Sequence, residues 1–258
     1  MKILASEWIK TRRTPIRWIV FLAPLIFAAF VIGYYSLRTI STDIQASIYQ
    51  VFFGVWTIII IPFGSGLIPG LMIQQEESAG GFNGLLGSKS PRQKLYLGKL
   101  TILILSATGS IMAATILLVL GFNVLLKLPI SWPIFIAGAI MAAIGTIPLL
   151  AIQLWISFAW GMGASIGIGG AGLLISALMG TSLGDEVWQF VPWAWPIRLS
   201  MLPGGYLIYE PGKDILTNTG ILINQAIIGI MISLMFFSVV LFGGLHWFKR
   251  WEGRKEYE

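Results

Sequence analysis

An all-α polytopic membrane protein with six transmembrane helices is the fold class this sequence predicts, on three observations. Charged residues make up 11% of the 258, against about 25% in a soluble domain. The apolar residues fall in charge-free runs long enough to cross a hydrocarbon core of about 30 Å. Lys and Arg are shared unevenly among the segments between those runs, and that bias sets orientation. With a mean hydropathy of +0.83 and no long polar stretch, residues 1–258 read as a single transmembrane domain.

Residues 1–17 hold Lys2, Lys10, Arg12, Arg13 and Arg17 among Ile3, Leu4, Trp8, Ile9 and Ile16. This pattern predicts an amphipathic helix lying in the interface, with Trp8 at headgroup level and Arg12 and Arg13 toward water. No small-residue cleavage site follows the next apolar run, so that run is an uncleaved first span rather than a signal peptide. Charge-free intervals then place the spans near 18–37, 51–73 and 100–122. The interval from Leu128 to Gly184 carries no charge, and as one helix it would run about 85 Å. It must turn back, and Trp160-Gly161-Met162-Gly163 is the expected turn, giving spans near 133–158 and 164–183. The last span is near 220–245.

Thirteen of the seventeen Lys and Arg then fall in the N-terminal segment, the loop between spans two and three, and the C-terminal segment. Both termini and that loop are therefore expected in the cytoplasm, and the protein in the bacterial cytoplasmic membrane. The opposite face has one long segment, Asp185–Thr219, rich in proline and carrying Trp188, Trp193, Trp195, Tyr206 and Tyr209. It is expected to anchor an interfacial or re-entrant piece.

Several chemistries are excluded. There are no cysteines, so no disulfide, thiolate metal site or cysteine nucleophile exists. The lone His246 makes no metal cluster and no triad. Gly167-Ile168-Gly169-Gly170-Ala171-Gly172 fits G-x-G-x-x-G to the letter, but it lies inside an apolar span and not in a βαβ unit. Gly163, Gly167 and Gly169 read instead as small-residue helix packing. Gly84-Leu85-Leu86-Gly87-Ser88-Lys89 lacks the order of a phosphate-binding loop. No span has an ionisable group at its middle, unlike ion-coupled carriers. The neutral polar residues Gln153, Asn224 and Gln225, with Trp193 and Trp195, are the candidates for a substrate path. Interhelical hydrogen bonding is their simpler role. The expectation is a non-enzymatic chain, binding no metal or cofactor, whose energy comes from elsewhere.

The long polar break Gln74–Lys99 carries Glu76 and Glu77, then Gly80-Gly81, then Phe82, Leu85 and Leu86 at helical spacing, then Ser90-Pro91-Arg92 and Gly98-Lys99. A short cytosolic helix with exposed apolar residues should dock into a partner. In these residues the sequence resembles permease subunits of type-2 ABC exporters. That family shows an acid after the second span, a leucine pair, a Ser-Pro-Arg-like step and Gly-Lys entering the third span. Either Glu76 or Glu77 fits the acid. Ala79-Gly80-Gly81-Phe82 with Leu85-Leu86, and Pro192–Arg198, resemble the lantibiotic-immunity permeases in particular.

The resemblance implies a coupling helix between spans two and three, with Glu76, Glu77, Phe82, Leu85, Leu86 and Arg92 meeting a cytosolic ATP-binding subunit present in two copies. ATP and Mg would sit on that subunit. It also implies a second permease chain and, as substrate, a cationic antimicrobial peptide expelled from the membrane for self-immunity. The same fold with another exported substrate, or a non-transport membrane sensor or scaffold, are the alternatives. Membrane lipids are expected partners and nucleic acid is not.

Overall fold

The computed structural model describes residues 2–38, 44–88, 90–208 and 215–254. Lys89, Tyr209 and Lys213 lie outside them, as does the Arg13 side chain. Among the described residues every regular element is helical. A short helix α1 (Lys2–Lys10) leads through a tight turn at Thr11–Arg13 into α2 (Pro15–Ser36). Thr14 is extended and Pro15 stands at the first helical position, where its fixed φ suits a helix start. The next long helices are α3 (Ile44–Ser78) and α5 (Arg92–Leu125), with the four-residue turn α4 (Asn83–Leu86) between them. After them come α6 (Trp132–Met179), two short helices α7 (Trp195–Met201) and α8 (Gly205–Ile208), and finally α9 (Ile215–Arg250). Five helices are long and apolar enough to cross a membrane.

The longest of these, α6, is a hairpin. Gly161 has φ 89° and ψ −178°, a conformation that glycine reaches without a Cβ penalty. In a straight helix Ser157 and Ser165 would stand about 12 Å apart. Their hydroxyls instead meet at 2.9 Å, so the chain reverses where the charge-free interval required it. The second arm ends at Met179, short of the expected 183. Arg198 closes that end: its Nε donates to the Met179 carbonyl at 2.7 Å and Nη2 to the Thr181 carbonyl at 2.6 Å, while Asp185 holds Nη1 at 2.6 Å.

Helix α3 packs most extensively on α6. A Cβ on Gly66 would run into the Ser165 carbonyl oxygen, and one on Gly169 would lie 3.0 Å from the Pro62 carbonyl oxygen. Such an approach lets backbones touch. The packing face of the second arm is Ser165, Gly169, Gly172 and Ser176, all buried. Gly163 and Gly167 have nothing within 4 Å of a built Cβ in this chain, whereas Gly169 packs closely on α3. Just before Pro62, residues Trp56–Ile60 widen into a π turn. Proline supplies no N–H and crowds the carbonyl four residues back, which a wider turn relieves.

The segment after α6 penetrates the bundle rather than lying on it. In α7, Trp195, Pro196, Ile197, Leu199 and Ser200 are buried. A Cβ on Gly145 of α6 would come within 2.7 Å of the Pro196 nitrogen. Tyr49 donates to the Ser200 carbonyl at 2.5 Å. Trp188 and Trp195 are buried within the bundle, while Phe190 and Tyr206 stay exposed.

Candidate functional site

The sequence pointed to the 74–99 loop, and the structure puts the polar chemistry of the bundle there. Glu76 stands on the last turn of α3, Lys99 two turns into α5, and Glu7 and Lys10 three residues apart on α1. Lys99 Nζ lies 2.7 Å from Glu7 Oε2 and 2.6 Å from Glu76 Oε1. Lys10 Nζ lies 3.0 Å from Glu7 Oε1 and 2.6 Å from Glu76 Oε1. Two carboxylates and two ammoniums form a closed square. Lys99 is 1% exposed and the Glu7 side chain 4%. Burial works against the charge on Lys10, but its hydrogen bonds and proximity to Glu76 and Glu7 outweigh it and hold the pKa above the ordinary lysine value. Gln75 adds a bond to the Lys10 carbonyl at 3.1 Å. The square thus fastens α1 to the end of α3 and the start of α5.

Glu77 has a different partner, pairing with Arg254. The Arg254 guanidinium also lies over the Phe82 ring at 5.5 Å and rests on Gly161, where a Cβ would collide with it. One residue therefore joins the end of α3, the loop and the turn of the α6 hairpin. Three successive residues of the loop, Gly80, Gly81 and Phe82, have positive φ. For Phe82, at φ 68°, this costs of order 1–3 kcal/mol, which its packing offsets. The Phe82 ring meets Trp251 edge-on at 5.0 Å, and Trp251 meets Phe158 at 5.2 Å. Arg92 Nη1 donates to the Trp251 carbonyl at 2.5 Å, satisfying the end of α9 as basic side chains do at helix C-termini.

These contacts correct the expected docking surface. Phe82 and Leu85 are 2% and 4% exposed, Leu86 is half-buried, and all three belong to the chain's own core. Apolar residues in a polar loop must be covered, and here the C-terminal segment covers them. What the loop turns outward is Gly81, Asn83, Gly84, Gly87 and Ser88, with Gln93 and Lys94 beside it.

The other sequence candidates are spread apart. Trp8 is 40% exposed, with the Arg17 guanidinium 4.6 Å from its ring centre, and Arg12 is exposed. Gln153 is fully buried and meets Ser165 at 3.1 Å, while Ser165 bonds the Gly66 carbonyl at 2.7 Å. In this chain it takes part in interhelical hydrogen bonding. Trp193 seats on Gly172, and Trp195 donates its indole N–H to the Gln189 carbonyl at 3.1 Å. Asn224 and Gln225 are exposed on α9, whereas Gln153 is buried. These five residues do not converge.

Glu7, Lys10 and Lys99 were missed as site residues. The available signal was Glu7, the single acid among five cations ahead of the first span. Among the described residues no group of His, Asp and Glu could hold a metal.

A family model described as "ABC-2 family transporter protein" matches residues 3–180, from α1 through the α6 hairpin. No curated protein and no solved structure matches the chain.

Proposed function

This chain belongs to the ABC-2 transporter family, and from that premise we propose that it is the permease subunit of an ATP-driven exporter that expels a lantibiotic peptide from the producer's membrane. An ABC-2 permease is the membrane component of a transporter and works with an ATP-binding partner. The lantibiotic specificity rests on the resemblance carried by residues 79–86 and Pro192–Arg198. The topology is six crossings with both termini cytoplasmic. Supporting this, the α6 hairpin supplies two arms, and Lys10, Arg92, Lys99 and Arg254 gather at one end of the bundle.

The observation that carries the coupling role is the buried square of Glu7, Lys10, Glu76 and Lys99. A loop that merely connects helices needs no such fastening. Here, force applied to the loop reaches α1, α3 and α5 together, and through Arg254 the α6 turn. ATP-driven closure of two partner ATPases would push on the outward polar face around Asn83 and Gly84. The leucine pair holds the loop's shape from within. A second permease chain completes the pore.

The test co-expresses the chain with its ATPase and companion permease in a sensitive bacterium. The wild-type chain is expected to raise the tolerated concentration of a cationic lantibiotic. Gly84→Trp, whose side chain would enter open space, should restore sensitivity and lose the ATPase on co-purification. Unchanged sensitivity with the wild-type chain overturns the substrate assignment, and ATPase retained by Gly84→Trp overturns the docking face.

A further inference from the structure

A groove of about 570 Å³ runs between α1, α2 and α5 on the outside of the bundle, and transport by the chain does not account for it. One wall is α2, with Phe21 and Leu25, and the floor is the Ser106, Gly109 and Ala113 face of α5. The stretch of α5 that lines it, Ile102 to Leu117, rises about 22 Å, longer than the ~15 Å depth of one leaflet. The groove is therefore an apolar slot as deep as an extended hydrocarbon chain.

Its mouth is not neutral. Trp8 lines the groove, and Arg17 stacks over it. Arg17 Nε donates to Thr11 at 3.2 Å and Nη2 to the Trp8 carbonyl at 2.8 Å, while Nη1 has no hydrogen bond among the described residues. Arg12 is exposed and forms no ion pair among them. The acids of α1 and of the end of α3 beside it, Glu7 and Glu76, are already held by Lys10 and Lys99. Arg17 thus puts a positive charge beside Trp8 at one end of the apolar slot, with Arg12 on the turn just before α2, at the helix expected to lie at headgroup level. We propose that this groove is a binding site for one anionic glycerophospholipid, with an acyl chain along the α5 floor and its phosphate on Arg12 and Arg17. Because Glu7 and Lys10 lie on the same helix, the bound lipid would brace the part of α1 that is tied to Glu76.

The test is native mass spectrometry of the full chain in mild detergent, incubated with phosphatidylglycerol or with phosphatidylcholine of the same acyl chains. One phosphatidylglycerol per chain should be retained, preferred about 30-fold if two arginines each act at the strength of juxtamembrane basic residues. A Cβ at Gly109 meets nothing within 4 Å, so Gly109→Trp fills the slot with the fold intact. It should lose the lipid without a change in melting temperature. Arg12→Gln with Arg17→Gln should lose the preference and keep weak binding of both lipids. Equal retention of phosphatidylglycerol by wild type and Gly109→Trp overturns the proposal. So does a lipid-free wild-type dimer that Gly109→Trp splits, which would make the groove a contact between permease chains.

Discussion

Lys99 shows most directly how a charge survives inside this bundle. It is 1% exposed and carries two carboxylates at 2.7 and 2.6 Å. Removing one member of a buried set leaves the others uncompensated, which costs about 3–5 kcal/mol. Lys99→Met is expected to lower stability by that order. Lys10→Met should cost less, because its side chain is 39% exposed and water can screen what is lost. Thermal unfolding of the two variants in one detergent checks the order, and a Lys10 effect as large as that of Lys99 would refute it. The raised pKa of Lys10 means that its share of stability is complete at neutral pH. That share is lost only as pH climbs through the raised value.

At the scale of elements, the α3–α6 contact tests which glycines matter. Gly66→Ala places a methyl against the Ser165 carbonyl, and overpacking of this kind costs about 1–3 kcal/mol. Gly167→Ala faces open space and should be neutral or stabilising by up to ~1 kcal/mol, since alanine favours helix. Melting temperatures that moved together would contradict the packing face. This contact also marks the limit of what could be read from the sequence. The long apolar helices, the reversal near Gly161 and the polar loop were legible, because charge and its absence announce them. The phase of the second α6 arm was not. A helix that is apolar all round shows no preferred face, so Gly163, Gly167 and Gly169 read as one set in the sequence, while in the structure Gly169, with Ser165, lies against α3. Leu85 failed for a related reason. Spacing placed it on one face with Phe82, but only the distant Trp251 decides whether that face is wet.

For the whole molecule, the C-terminal segment is what closes the loop end. Trp251 covers Phe82, and Arg254 spans Glu77, Phe82 and Gly161. Trp251→Ala is expected to raise amide hydrogen exchange through residues 80–88 while α2, α5 and the α6 arms stay protected, as for a locally opening unit. Uniform loosening of the spans would show instead that the segment supports the entire bundle. Arg254 has a further consequence for biogenesis. The turn Trp160–Gly163 has no cation of its own, so it adds nothing itself to the Lys and Arg bias that orients spans. The cation that reaches this turn comes from beyond α9, which is synthesised later. The hairpin turn thus meets its cation only once the last helix and the segment after it have been made.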